Sequence, residues 1–338
     1  MVPVVDSQGK PLMPTTSARA RRWIRDRKAT YFYQKGVFCV RLNVNPSATY
    51  TQEIACGVDP GGTWEAMTLK SKAHTILNIQ SEAVYWIKGA LQTKREMRRS
   101  RRFRKTPCRQ PRWNRGCLRK PRIPPSTLAR WNAKLRLINI WRKVVPISHY
   151  VVEDIAAETR KGQRRWNRSF SPLEVGKNWF YRELRKLEKL SLKAGWETKN
   201  LRDALGLVKS KSNQNAFAAH CLDSWVLANS VVGGHLAPEN KRIHYLKPLR
   251  FHRRQLHRLQ PSKGDVRKPY GGTRSLGFKR GSLVSHPKYK LCYIGGFLGE
   301  RLSLHSLETS RRLTQSAKAG DCRFLGYNSW RWQVSSPT

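Results

Sequence analysis

Acids are scarce in this chain, 21 Asp and Glu against 67 Lys and Arg among 338 residues, so their positions carry information. Asp59 closes a strand-like run, Glu53-Ile-Ala-Cys-Gly-Val58. It precedes Pro60-Gly61-Gly62, a tight turn where backbone and phosphate can come close. Glu153 ends a second apolar run, His149 to Val152. Asp154 follows at once, which leaves open which of the two acids points inward. Asp223 lies in a segment that reads as a helix from Asn215 to Ser230, with His220 three residues earlier on the same face. Three carboxylates from strand, strand and helix can converge on one or two Mg²⁺ ions, hard cations that take oxygen ligands, with Mn²⁺ as a substitute. Two such ions about 3.5–4 Å apart would activate a water and stabilise the leaving 3′ oxygen of a phosphodiester displacement. Singly, each residue has an ordinary structural use: a turn aspartate, a salt-bridged glutamate, a core or surface histidine. Their order and context together point to chemistry.

The elements that must position these residues follow from patterning. Residues 1–51 form a small unit in which Pro11-Leu-Met-Pro14 reads as a rigid turn. Ser17 opens a capped, basic short helix, and residues 29–44 alternate around Gly36 as a hairpin, with Phe38, Val40 and Leu42 on one face. Residues 52–93 read as three strands, Glu53 to Asp59, Glu65 to Lys70 and His74 to Ile79, then a helix from near Ser81. Ser126 caps a helix whose Leu128, Trp131, Leu135, Ile138 and Trp141 keep the spacing of a buried face. Ser171-Pro-Leu-Glu174 is a capping box with Pro at the first helical position, continuing through Trp179, Phe180, Leu184 and Leu187. Residues 241–338 hold many Gly and short alternating segments such as Leu283-Val284 and Leu291 to Ile294, which predict a small, mostly β domain.

Between the first two acids lies the most basic stretch, residues 94–122, where fourteen of 29 residues are Lys or Arg against the single acid Glu96. The segment Ala90 to Lys105, which carries its first part, has no Pro or Gly and predicts a helix, followed beyond about Pro107 by a basic extended segment. A run of this density needs a polyanion, and nucleic acid supplies one through counterion release. The formal net charge of +46 is spread along the chain, which argues against an ordinary metabolic enzyme and favours a large nucleic acid, RNA first. Seven scattered cysteines without a CxxC pair argue against a disulfide framework or structural zinc. No apolar stretch approaches the roughly 20 residues of a membrane span, and no signal peptide is evident. The expected setting is the cytoplasm or nucleoid of a prokaryote.

Gly57-Val-Asp-Pro-Gly-Gly62, Tyr150-Val-Val-Glu-Asp154 and Ala219-His-Cys-Leu-Asp-Ser-Trp-Val-Leu-Ala228 resemble the three motifs of a RuvC-like nuclease, an RNase H-like fold. The basic stretch resembles the bridge helix of transposon-encoded RNA-guided nucleases. Pro11-Leu-Met-Pro14 resembles the PLMP domain of IscB and its relatives, ancestors of type II CRISPR effectors. The stretches from His252, Val266 and Arg311 resemble the PLMP-interacting domain of that group. IscB carries an HNH nuclease between the second and third motifs, but residues 154–219 hold no histidine and are too few for the two intervening helices plus a nuclease. The resemblance is therefore to IsrB, the HNH-lacking relatives.

That resemblance implies an α/β (α+β overall) chain. An RNase H-like domain (52–93 and 123–240) would be interrupted by an arginine-rich bridge helix (94–122), with a PLMP domain (1–51) and a C-terminal domain (241–338). It implies Asp59, Glu153 and Asp223 as metal-binding acids, with His220 as the catalytic histidine assisting proton transfer. A long structured omega RNA would guide a monomeric protein to double-stranded DNA beside a short flanking motif, and the displaced strand alone would be nicked. Expected nucleic-acid contacts are Arg95, Arg98, Arg99, Arg101, Arg102, Arg104, Lys105, Arg109 and Arg112, and in the C-terminal domain Arg253, Arg254, Lys268, Tyr270 and Arg274. Two other classes fit parts of the pattern. A non-catalytic nucleic-acid-binding protein would bind without cutting, and an unguided junction resolvase would cut without RNA.

Overall fold

The computed structural model describes residues 1–103, 123–156, 171–210, 216–248 and 274–334, except positions 36, 47, 308 and 328–329. They fall into two compact units, Met1–Tyr245 with Val334–Thr338, and Leu246–Gln333.

The first unit opens with β1 (Val2–Val5), β2 (Pro11–Thr15), α1 (Ser17–Arg25), β3 (Ala29–Gln34) and β4 (Val37–Leu42). The strands form one sheet in the order β2-β1-β4-β3. Thr16 caps α1 by accepting from the Arg19 N–H, and Ala20, Trp23 and Ile24 of that helix pack on Val4, Ala29, Val40 and Leu42. Pro11 to Pro14 is a strand and not the turn expected. β2 lies at the sheet edge, where a proline's missing N–H forfeits no ladder bond.

The main sheet begins with an antiparallel meander, β5 (Ile54–Asp59), β6 (Trp64–Ser71) and β7 (Thr75–Glu82). α2 (Trp86–Phe103) and α3 (Pro125–Trp141) follow, then β8 (His149–Asp154), parallel to β5. α4 (Pro172–Arg185) leads to β9 (Lys189–Ala194), parallel to β8, and then α5 (Gly195–Ala204) and α6 (Cys221–Val232). The order β7-β6-β5-β8-β9, a meander extended by two parallel strands with helices on both faces, is that of an RNase H-like fold. β10 (Ile243–Pro248) starts beside β7.

Strand alternation assigns the faces. Gly57 and Thr68 are cross-strand partners, and both meet Ser224 of α6, Thr68 through a 2.8 Å hydroxyl–hydroxyl hydrogen bond. Glu65, of opposite parity on β6, instead forms a buried ion pair with Lys134 of α3. So α6 covers one face, while α3 and α4 cover the other, joined there by Trp131 and Phe180 with ring centroids 5.3 Å apart.

Several boundaries differ from the sequence reading. β7 keeps its pairing with β6 through Ser81 and Glu82, so α2 starts at Trp86 and not near Ser81. Ser126 does not cap α3. Pro124 occupies the cap with no side-chain bond, and Pro125 supplies the preset φ of the first turn. Ser171 does cap α4, its hydroxyl accepting from Glu174 N–H at 3.0 Å. β9 and α5 were not anticipated. Lys189–Ala194 does alternate, with Leu190, Leu192 and Ala194 on one parity, so the strand was findable, and pairing with β8 holds it.

The second unit is an antiparallel sheet of β13 (Ser282–His286), β14 (Lys290–Leu298), β15 (Arg301–Ser306), β16 (Arg312–Ala317) and β17 (Arg323–Tyr327). A two-strand ribbon, β11 (Arg274–Ser275) and β12 (Phe278–Lys279), precedes it. Its core holds Val284, Cys292, Ile294, Leu302 and Leu304. No described helix is long and apolar enough to cross a membrane.

Candidate active site

Gly57 explains why two distant motifs meet. A Cβ there would stand 1.9 Å from Ser224 O and 2.7 Å from Ala228 N, so α6 lies directly on the β5 backbone. Asp59, two residues on, shares the face of Gly57, and Asp223 is the residue before Ser224. β8 runs beside β5 in parallel with Gly57 opposite Val151, so Glu153 emerges on the same face as Asp59. Asp154 points the other way. It accepts from Lys177 Nζ at 2.8 Å and Tyr181 hydroxyl at 2.9 Å, both on α4. Glu153 is therefore the inward acid.

Crowding like charges raises the cost of ionisation. Burial first, then Glu153 and Asp223, push the Asp59 carboxyl up to about 7. Burial and Asp223 likewise push Glu153 above the usual carboxylate range. Among the described residues, neither carboxylate has an ion pair or hydrogen-bonded donor. Asp223 is different: only 3 % exposed, it is ion-paired to Arg202 Nη1 at 2.6 Å and to Lys209 Nζ. Lys209 also acts electrostatically on Asp59, Glu153 and His220, so one cation stands amid all four residues.

His220 is not inside a helix as expected but occupies the N-cap of α6, with φ −124°. Asp223 sits in the first turn, where the helix dipole favours an anion. Burial, then Lys209, hold the imidazole below its ordinary value, which keeps it neutral near pH 7. Its Nε2 is buried without a hydrogen-bond partner among the described residues. Trp64 lies 6.4 Å from it, centroid to centroid.

The expected three-carboxylate metal set is only partly assembled. Among the described residues, no group of three or more His, Cys, Asp or Glu stands ready to hold a metal ion. The physical reason is that Arg202 and Lys209 already neutralise Asp223. Asp59 and Glu153, both hard oxygen donors without a countercharge of their own, do fit a divalent cation.

Of the expected nucleic-acid contacts, Arg95, Arg98 and Arg99 are exposed on α2, where every residue from 91 to 100 is exposed. That stretch has no protein face to bury, although Ile87 in the first turn is buried. Arg101 and Arg102 lie on its last turn, with side chains outside the described residues. Arg104, Lys105, Arg109, Arg112, Arg253, Arg254, Lys268 and Tyr270 also fall outside the described residues. Arg274 is exposed on β11, donating to Gly277 O at 3.3 Å.

Sequence reasoning missed Gly57, Arg202 and Lys209. A glycine inside a strand signals close backbone approach, so Gly57 was findable. Arg202 and Lys209 carried no signal among so many cations.

Residues 2–169 match the family described as RRXRR protein. A solved structure of T. thermophilus RuvC in complex with Holliday junction substrate matches 54% of this chain and 98% of that chain, at 12% identity and a TM-score of 0.27. No curated protein matches.

Proposed function

We infer that this chain is a RuvC-like nuclease that, guided by a long structured RNA of the omega type, nicks the displaced strand of a double-stranded DNA target. The observation that carries this reading is the convergence of Asp59 and Glu153 on Asp223 of α6, close enough that Asp223 raises both of the other carboxyls. The RRXRR match, a family associated with IscB- and IsrB-like proteins, supports the guided class.

Asp59 and Glu153 would hold Mg²⁺ or Mn²⁺, with Asp223 joining once Lys209 yields it. Bound there, the cation would supply water activation and charge neutralisation at the phosphate. The chain's own groups do the rest. Neutral His220, with its free Nε2, accepts a proton from the attacking water. Lys209, once released, has the charge and reach to pair with a phosphate oxygen. Exposed Arg95, Arg98 and Arg99 bind phosphates along α2. The described part of 154–219 is taken up by α4, β9 and α5, which supports a single nuclease site and a nicked product.

One observation favours a second reading, a binding protein without catalysis: the double ion pair on Asp223. The test is the complex purified with its own RNA, given a supercoiled plasmid carrying the guide-matched target and Mg²⁺. Nicking by the wild type and binding without nicking by Asp59→Ala support the nuclease. Nicking unchanged in Asp59→Ala removes Asp59 from the site, and tight binding with no cutting in any divalent metal establishes the second reading.

A further inference from the structure

The N-terminal sheet has one face turned to α3 and one turned away. Gln34 Nε2 donates to Ile140 O at 3.1 Å, so the face carrying Gln34 and Phe32 is the one turned to α3. The opposite face holds the small core under α1. Cross-strand pairing places Tyr31 opposite Val40 and Tyr33 opposite Phe38, so all three aromatic rings share the face of buried Val40. Phe38 is partly buried against that core, but the helix leaves the tyrosines open: Tyr31 is 62% exposed and Tyr33 63%. They form their own cluster, with Tyr31 stacked on Phe38 at 6.2 Å and Tyr33 edge-on to both, at 6.3 Å from Tyr31 and 5.8 Å from Phe38.

Beside this aromatic floor, on the same face, stands α1. Its packed side is Ala20, Trp23 and Ile24, and Arg19, Arg21, Arg22 and Arg25 are all exposed, with only Asp26 at the C-cap to oppose them. Flat rings next to a row of guanidinium groups match one chemistry above others, unpaired nucleobases on a phosphate backbone. Bases stack on the rings and arginines meet the phosphates. A duplex offers no free base faces to such a floor.

We propose that Tyr31, Tyr33 and Phe38 form a stacking platform for an unpaired segment of RNA, bordered by the arginines of α1. RNA is favoured over the DNA strand being cut by placement. The acids face α6, α3 lies on the other side of the main sheet, and the platform faces away from α3 in turn. A strand held there stays clear of Asp59. This rests on the proposed RNA partner but not on catalysis.

The test uses the full-length protein stripped of nucleic acid and a fluorescein-labelled oligoadenylate, measured by anisotropy at fixed salt. A matched oligodeoxyadenylate and an RNA duplex serve as the other probes. Tyr31→Ser/Tyr33→Ser should weaken oligoadenylate binding by roughly tenfold or more, while Tyr31→Phe/Tyr33→Phe keeps it within about twofold, since the ring and not the hydroxyl does the stacking. Duplex affinity and the salt slope should not change, because no charge is removed. Both tyrosines are exposed, so the thermal midpoint of each variant should match the wild type. Unchanged oligoadenylate binding in the serine variant overturns the platform. So does an equal loss on the duplex, or a phenylalanine variant as weak as the serine one. A larger loss on the oligodeoxyadenylate than on the RNA overturns the assignment to RNA. The anisotropy readout involves no cutting and no site acid, so failure of the platform and failure of the nuclease reading are told apart.

Discussion

Replacing Gly57 with alanine should move Asp223 away from Asp59 without altering either acid. The added methyl would lie 1.9 Å from Ser224 O, where ordinary contact begins at 3.4 Å, so the α6 backbone must retreat by about 1.5 Å or the helix must tilt. The obstacle is main chain on both sides, with no flexible side chain to swing aside. Overpacking of this kind costs about 1–3 kcal/mol. In a unit of this size each kcal/mol lowers the melting midpoint by about 2–4 °C, so a fall of roughly 2–12 °C is expected. The effect on cutting should be larger than the effect on folding. Asp223 precedes Ser224 on the displaced turn, and a misplacement of about 1 Å in an active site costs on the order of a hundredfold in rate. Differential scanning fluorimetry and plasmid nicking read the two effects separately. Gly62→Ala is the control, since a Cβ there meets nothing within 4 Å. A Gly57→Ala protein with wild-type midpoint and wild-type nicking would refute the reasoning, as would equal damage from Gly62→Ala.

Two further outcomes are expected. A carboxyl raised to about 7 in the fold keeps its proton where the unfolded chain has released it, so its favourable contribution is complete below about pH 4 and lost as pH rises through about 7. Metal-free Asp59→Asn should therefore melt above the wild type near pH 8, with the gap narrowing toward about pH 5. Thermal scans across that range check it, and a gap independent of pH would contradict it. Lys134 and Glu65 form an ion pair with side chains only 8% and 10% exposed. Lys134→Met alone should cost about 3–5 kcal/mol by stranding a buried carboxylate, and Lys134→Met/Glu65→Leu should recover most of it, measured by chemical denaturation.

The chain's local patterns were enough to reveal the meander, the α3 stripe, the Ser171 cap and the acid-bearing strand ends. Period-two and period-3.6 alternations, together with turn chemistry, are properties of a few neighbouring residues. Elements held by distant partners were not legible. Pro11–Thr15 becomes a strand because β1 has a free edge on which prolines do no harm, whereas the period-two alternation of Lys189–Ala194, which pairs with β8, was there to be read. Helix starts were displaced for the same kind of reason, as at Ser81, where cross-strand pairing outlasted the apolar pattern.

The site divides in the same way. Local patterning was enough to place Asp59 and a second acid at strand ends and a third on a late helix beside a histidine, and charge density was enough to expect a polyanion partner. Long-range packing turns Glu153 and not Asp154 inward, because α4 supplies Lys177 and Tyr181 on the other face. It also decided that His220 stands at the cap of α6 and that Gly57 lets that helix settle on β5. Finally, it brought Arg202 from the unforeseen α5 and Lys209 from the loop after it onto Asp223. The physical reason is range. Strand parity and charge density act between neighbours in the chain, whereas the countercharge of a buried acid is chosen by whatever the fold delivers within a few ångströms.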